Sequence, residues 1–333
     1  MSIAKGDLNG DDIIDLVVAN YYDNSIGLYF GHANGRFQSQ IIISVGVYPR
    51  YVLVADLNGD HFNDIIVAIS EENRLGILLG FNNGSFRTQS YVTVGETPTW
   101  IDVGDLNGDS FLDLAVANLD SSYLSMLFGY GNGSFRAQRY LSTPSNLLSV
   151  IIVDFNRDNF LDIAITSVNS DSVFVYFGRG DEIPLSGDRY SVGAGGNFIT
   201  TGNFNSDTYM DIVSVNRYNN TIYLLLNRGN GTFQVQAIYT VGTGAQSVTV
   251  VDLNQDAYMD IIIPNYMNNF VSILLGYGNG IFQTEIRMNT TIGLVAVGIA
   301  DFDRDGRMDI AVTSMFYKTL EIFLNNCSMR SLK

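Results

Sequence analysis

A nine-residue acidic stretch recurs seven times in this chain at an unbroken period of 49. The copies begin at Asp7, Asp56, Asp105, Asp154, Asn203, Asp252 and Asp301. One of them reads Asp105-Leu106-Asn107-Gly108-Asp109-Ser110-Phe111-Leu112-Asp113, with oxygen-bearing side chains at its first, third, fifth and ninth positions. Self-similarity at a fixed period decides the architecture before any local signal does. Here it also says what the architecture binds, because the carboxylates keep one phase of the repeat.

The unit that starts at Val52 shows what one period contains. Val52-Leu53-Val54-Ala55 is a short apolar run, followed by the acidic loop at 56–64 and a second apolar run, Ile65-Ile66-Val67-Ala68. The polar turn Ser70-Glu71-Glu72-Asn73 leads to a third run at 75–79. Asn82-Asn83-Gly84 then turns the chain into a fourth, more polar run at 86–94. Four runs bounded by turn residues predict four strands. The connections are too short for parallel crossovers, so the strands form an antiparallel meander. The first two runs, apolar on both faces, are expected to be the inner, doubly covered strands; the fourth is expected at the outer edge. Asn-Gly turns recur in phase at Asn34, Asn83, Asn132, Asn230 and Asn279, where glycine supplies the positive φ of a tight hairpin. The fourth unit carries Asp181-Glu182-Ile183-Pro184 there instead, and the seventh reaches Leu324-Asn325-Asn326 before a fourth strand.

Four-stranded units of this length are propeller blades. The predicted fold is all-β: a seven-bladed β-propeller of four-stranded antiparallel blades, the last lacking its outer strand. It forms a single domain over residues 1–326, with a C-terminal tail at 327–333. The alternative, an open β-solenoid, would need shorter coils and parallel pairing. A hydrophobic fraction of 46% against 16% charged residues, with 19 Tyr and 20 Phe, suits a packed β protein.

The loops define the candidate metal ligands. They are Asp7, Asn9, Asp11 and Asp15; Asp56, Asn58, Asp60 and Asp64; Asp105, Asn107, Asp109 and Asp113; Asp154, Asn156, Asp158 and Asp162; Asn203, Asn205, Asp207 and Asp211; Asp252, Asn254, Asp256 and Asp260; Asp301, Asp303, Asp305 and Asp309. A loop of this length can wrap a hard cation with oxygens from positions one, three and five, a backbone carbonyl from position seven and a carboxylate at position nine, which also opens the second strand. Calcium, which takes six to eight oxygens, is the first choice; zinc would ask for nitrogen or sulfur, and the chain has two histidines. Up to seven calcium ions are expected. The four carboxylates of the last loop should bind tightest, and the loop at Asn203, with two, should be weakest or empty. Position six is often not glycine (His61, Ser110, Thr208, Ala257), so the turn is expected to differ from that of an EF-hand. For any single copy, an acidic turn held by Asx hydrogen bonds without an ion is the simpler reading; seven copies in phase favour the ion, with a structural role.

The pattern Asp-x-Asn-x-Asp-x-x-x-Asp, followed by Ile/Leu-x-Val-Ala-Asn, Leu-Phe-Gly and Asn-Gly-Ser-Phe, resembles the FG-GAP/VCBS repeat of the integrin α-subunit propeller and its extracellular relatives. The resemblance covers the whole chain. It implies a seven-bladed propeller with calcium between the first and second strands of its blades. It says less about function, since relatives include adhesion receptors, lectins and domains attached to enzymes.

A net charge of −16 repels nucleic acid and anionic lipid, and no apolar run is long enough to span a bilayer. The single cysteine, Cys327, allows no internal disulfide. Residues 1–6 lack the apolar core of a signal peptide and enter the repeat mid-stride, as a fragment of a larger chain would. The expected role is that of a calcium-binding, extracellular or cell-surface recognition and adhesion module, monomeric and not an enzyme. Its protein or glycan ligand would sit on the face opposite the metal loops. The alternatives are a carbohydrate-binding lectin and a non-catalytic domain of a larger secreted enzyme. That opposite face is expected to present Tyr21, Tyr22, Arg217, Tyr218, Tyr266, Phe316 and Tyr317 at turns, and Tyr48, Arg50, Tyr51, Trp100 and Phe198 between blades. Two weaker signals are Arg179-Gly180-Asp181, a diverged hairpin that resembles an integrin-recognition tripeptide, and sequons at Asn83, Asn132, Asn219, Asn230, Asn289 and Asn326, which are compatible with a glycoprotein.

Overall fold

A computed structural model describes residues 2–181, 187–193 and 195–326. The predicted tail at 327–333, with Cys327, and Glu182, Ile183 and Pro184 of the altered fourth-unit turn lie outside them. The fold is a seven-bladed β-propeller whose sheets are meanders with strands in chain order. Blade 2 is representative: Pro49–Ala55, Asp64–Ile69, Arg74–Leu78 and Ser90–Thr93, antiparallel throughout. Blade 7 has three strands, Leu294–Ala300, Asp309–Ser314 and Thr319–Phe323, as the sequence predicted.

The chain packs as two compact units. One comprises Met1–Ile152, Asn159–Ile165 and Val175–Gly187; the other comprises Val153–Asp158, Thr166–Phe174 and the described chain from Asp188 onward. In the first unit the core lies between successive blades. Ile65, Val67 and Ile69 of blade 2 pack with Val17, Ile26 and Leu28 of blade 1. Ile66 and Ala68, one residue out of phase, pack with Ile101, Leu114 and Val116 of blade 3. The second unit repeats the device: Ile261 and Ile263 pack with blade 5, and Ile262 packs with blade 7. The period-2 alternation of a strand therefore serves two neighbours, which is why these strands are apolar on both faces. Each such side chain contributes about 1.5–3 kcal/mol by leaving water.

The burial order corrects one expectation. In blade 2 the fully covered strands are the second and third and not the first and second, since Asp64–Ile69 is buried throughout and Pro49–Ala55 is mostly half-buried, whereas the first strands Leu147–Val153 and Leu294–Ala300 are buried as expected. In blade 2 topology gives the reason, since its first strand is an edge of the sheet and its second and third are flanked on both sides. The fourth strand is also shorter than its apolar pattern, beginning at Ser90, while Phe86 makes only an isolated bridge to Gly80. No helix among the described residues is long and apolar enough to cross a membrane.

Candidate metal centres and the opposite face

Each acidic loop is a net of side chains folded onto its own backbone. In blade 1, Asp7 Oδ1 accepts from the Gly10 N–H at 2.7 Å, and its Oδ2 accepts from the Asp12 N–H at 2.7 Å. The third-position amide links to the fifth position: Asn58 Oδ1 accepts from the Asp60 N–H at 3.0 Å, and its Nδ2 donates to Asp60 Oδ2 at 2.9 Å. The fifth position turns the chain again, with Asp60 Oδ1 accepting from the Phe62 N–H at 3.0 Å. The loops at Asp105 and Asp252 repeat this set. In the loop at Asp154, Asp154 accepts from the Asp158 N–H and the Asn156 amide donates to Asp158.

The backbone at positions four and six is left-handed in every loop. At position six the φ values run from 60° at Asp12 through 69° at His61, 68° at Ser110 and 71° at Ala257 to 83° at Gly306. This corrects the expectation drawn from the missing glycine. The turn uses the conformation that glycine favours regardless of the residue present, and the position-one carboxylate that accepts the position-six N–H holds it there.

Position nine opens the second strand, as expected, and has a second duty that sequence reasoning missed. Asp15, Asp64, Asp113, Asp162, Asp211, Asp260 and Asp309 are all completely buried. Asp113 Oδ2 accepts from the Leu106 N–H at 2.9 Å, and its Oδ1 accepts from the Gly129 N–H at 2.8 Å. The carboxylate thus ties the start of its loop to the end of the third strand. Blades 1, 2, 5, 6 and 7 repeat both bonds, and Asp162 accepts from the Gly178 N–H. Burial pushes Asp15, Asp64, Asp113, Asp211 and Asp260 up to about 6. The two N–H bonds offset part of that rise, and neighbouring loop carboxylates add to it. Asp309 is raised for the same reasons. Position two, also unremarked in the sequence, is a buried apolar plug in every loop: Leu8, Leu57, Leu106, Phe155, Phe204, Leu253 and Phe302. The legible signals were the constant apolar residue at position two and the constant 16-residue spacing from position nine to Gly129 and its equivalents.

Two loops depart. In the seventh, oxygens of Asp301, Asp303 and Asp309 lie within 4.8 Å of one another, the one such trio of acidic ligands among the described residues. Asp303 Oδ1 is buried with no hydrogen-bond partner, while the Asp305 carboxylate pairs with Arg307. Three of the four expected ligands are thus brought together and the fourth is drawn to a cation of the chain. In the fifth, Asn203 Oδ1 is likewise buried and unpartnered, and Asn205 and Asp207 keep their mutual bond at 2.7 Å. An all-oxygen donor set with an orphaned, buried oxygen is what a calcium ion fits. Bound calcium would supply positive charge to the trio and take up that orphaned oxygen, with Asp301, Asp303 and Asp309 as its side-chain ligands.

At the other end of the blades, the turns between second and third strands begin as short 3-10 segments, Tyr21–Asp23 and Ser70–Glu72. Tyr21 stacks on Tyr48 (centroids 4.7 Å, planes 8° apart), and the exposed Tyr22 meets both edge-on. Tyr218, Phe316 and Tyr317 are exposed, Tyr266 packs on Phe316, and Arg217 lies 5.9 Å over Tyr266. Tyr51 and Trp100 stack on each other at 4.3 Å and are half-buried, so they are packing residues more than presented ones. Arg50 and Phe198 are half-buried as well. Arg179 and Asp181 flank Gly180, which sits at a bend with a φ of +70°. The sequons at Asn83, Asn132 and Asn230 close their turns on themselves, each Oδ1 accepting the Ser or Thr hydroxyl at 2.6 Å.

Fold and loops together define a repeat propeller with an acidic, oxygen-only loop at the head of every blade. The FG-GAP-like repeat family matches residues 7–67, 56–116, 105–165 and 203–263, more than half of the chain, and the protein belongs to that family. No curated protein matches the chain in sequence. Its fold is shared by BBS1N, solved in complex with ARL6DN (TM-score 0.70, 12% identity, 98% of this chain and 93% of that one). It is also shared by an Agrocybe aegerita lectin that recognises non-reducing terminal N-acetylglucosamine (TM-score 0.62, 15% identity, 86% and 79%). A third similar structure is the periplasmic gluconolactonase PpgL of Pseudomonas aeruginosa (TM-score 0.65, 14% identity, 88% and 85%). At these identities the likeness is one of fold: a complex-forming propeller, a lectin and an enzyme share it.

Proposed function

We propose that this protein is a calcium-stabilised recognition module of an extracellular or cell-surface protein, binding a protein or glycan ligand rather than catalysing a reaction. The observation that carries the calcium half is the seventh loop, where three carboxylates converge and Asp303 keeps a buried oxygen with no partner. The binding half rests on exposed aromatics gathered at the strand turns, with Tyr22, Tyr218 and Tyr317 each more than half exposed. A non-catalytic reading is supported by the use made of the buried acids. In blades 1, 2, 3, 5, 6 and 7 the position-nine carboxylate is held by two backbone N–H groups, a structural arrangement rather than that of a free acid–base pair. The test is thermal unfolding of metal-stripped protein with and without calcium, followed by a ligand screen in calcium. A clear rise in Tm on adding calcium is expected; a melting curve indifferent to calcium would remove the metal from this reading.

A further inference from the structure

Blade 2 breaks the repeat at the turn after its third strand, and the break opens a cavity. In blades 3 to 6 the turn carries a left-handed glycine: Gly131, Gly180, Gly229 and Gly278. The aromatic ring at loop position seven lies over it. A Cβ on those glycines would fall 2.2 Å from Phe111, 2.3 Å from Phe160, 2.9 Å from Tyr209 and 2.1 Å from Tyr258. Blade 2 has Asn82 there instead, so its ring, Phe62, has no glycine beneath it. Asn82 reaches toward blade 1: a Cβ on Gly10 would lie 1.4 Å from Asn82 Oδ1. Asn63, where the other blades carry Ile, Leu or Met, donates from Nδ2 to the Asp7 carbonyl at 2.8 Å and braces the two loops. Between them lies a cavity of about 280 Å³ bordered by Asp12, His61, Phe62, Phe81 and Asn82.

We infer that this cavity is a binding site for a single neutral sugar residue, such as the terminal unit of a glycan. The inference rests on the recognition reading and gives it a ligand class, but it puts the site at the metal-loop end of blades 1 and 2 and not at the opposite face with the exposed turn aromatics. Phe62 and the exposed Phe81 supply apolar lining that suits the C–H side of a pyranose, with the Arg87 guanidinium 5.6 Å from the Phe81 ring centre. The Asn82 amide has no hydrogen-bond partner among the described residues, and the His61 ring is 95% exposed at the rim, so both can donate to and accept from hydroxyl groups. Among the described residues no Lys or Arg lines the cavity, so it offers no cation to pair with a phosphate or carboxylate ligand. Ligand pockets commonly span about 300–1,000 Å³, so this one takes one ring and not an extended oligosaccharide.

The experiment is saturation-transfer NMR of the whole chain in calcium against a panel of methyl glycosides of hexoses, 6-deoxyhexoses and N-acetylhexosamines. The variants are Asn82→Gly, which puts in the glycine of blades 3 to 6, and His61→Ala at an exposed position. At least one glycoside is expected to receive saturation, and each variant to lose about tenfold in affinity, the scale of a hydrogen bond removed, with its Tm in calcium unchanged. Glycoside binding that survives both substitutions would place the sugar elsewhere and overturn the assignment. A wild-type chain that captures a protein ligand but no glycoside would overturn it while leaving the recognition reading in place.

Discussion

At the scale of single residues, Asp in place of Asn at the third position leaves the seventh loop incomplete without an ion. Asn58 both accepts and donates within its loop, and its amide satisfies the Asp60 carboxylate. Asp303 has no amide to donate; it adds a carboxylate beside Asp301 and Asp309 and leaves Oδ1 buried and unpartnered. Without a cation the seventh loop therefore carries both repulsion and an unmade hydrogen bond, so it is where added calcium is expected to gain most. Asp303→Asn is expected to stabilise metal-free protein by about 1 kcal/mol, the worth of one net hydrogen bond, and to shrink the stabilisation that calcium confers. Calorimetry of both proteins with and without calcium reads both effects. Equal calcium-induced gains would take away the special standing of the seventh loop.

At the scale of the element, the loop and the strands it joins are held by the position-nine carboxylate. Asp113→Ala would leave the Leu106 and Gly129 N–H groups buried without an acceptor. At about 1–3 kcal/mol for each orphaned group, a loss of roughly 2–6 kcal/mol is expected in denaturant unfolding. Because those bonds need no ion, most of the loss should persist in metal-free protein; a loss seen only in calcium would make Asp113 a ligand and nothing more. This shows where the sequence was legible. The period, the blade and the start of the second strand at position nine could be read because each leaves a mark that repeats seven times, and the missing last strand because it interrupts that repeat. The two hydrogen bonds of Asp113 could not, because a ligand and a backbone acceptor are the same residue at the same spacing. The edge position of the first strand was hidden by its apolar composition, and the cavity beside Asn82 by its occurring once.

At the scale of the whole molecule, the buried carboxylates make stability depend on pH in a direction that calcium should change. Asp15, Asp64, Asp113, Asp211 and Asp260 are pushed up to about 6 in the fold, against about 3.9 in an unfolded chain. Between those values the folded protein holds more protons than the unfolded one. Stability therefore falls as pH rises from about 4 to 6, and the full penalty stands at neutral pH. Metal-stripped protein is accordingly expected to melt at a higher temperature near pH 5 than near pH 7. Calcium bound as proposed would neutralise the loops in place of protons and compete with them, so in saturating calcium the same slope is expected to flatten or reverse. Asp102, on the first strand of blade 3 and outside the loops, is also raised to about 6 by burial against two backbone N–H bonds, and its share of the slope should survive calcium. A net charge of −16 adds surface repulsion of the same sign, but salt screens exposed charges far more than buried ones. Melting curves of stripped protein at pH 5, 6 and 7, each at low and high salt, separate the two. A slope that vanishes in salt would assign the effect to the surface, and one that persists assigns it to the acids beneath the loops.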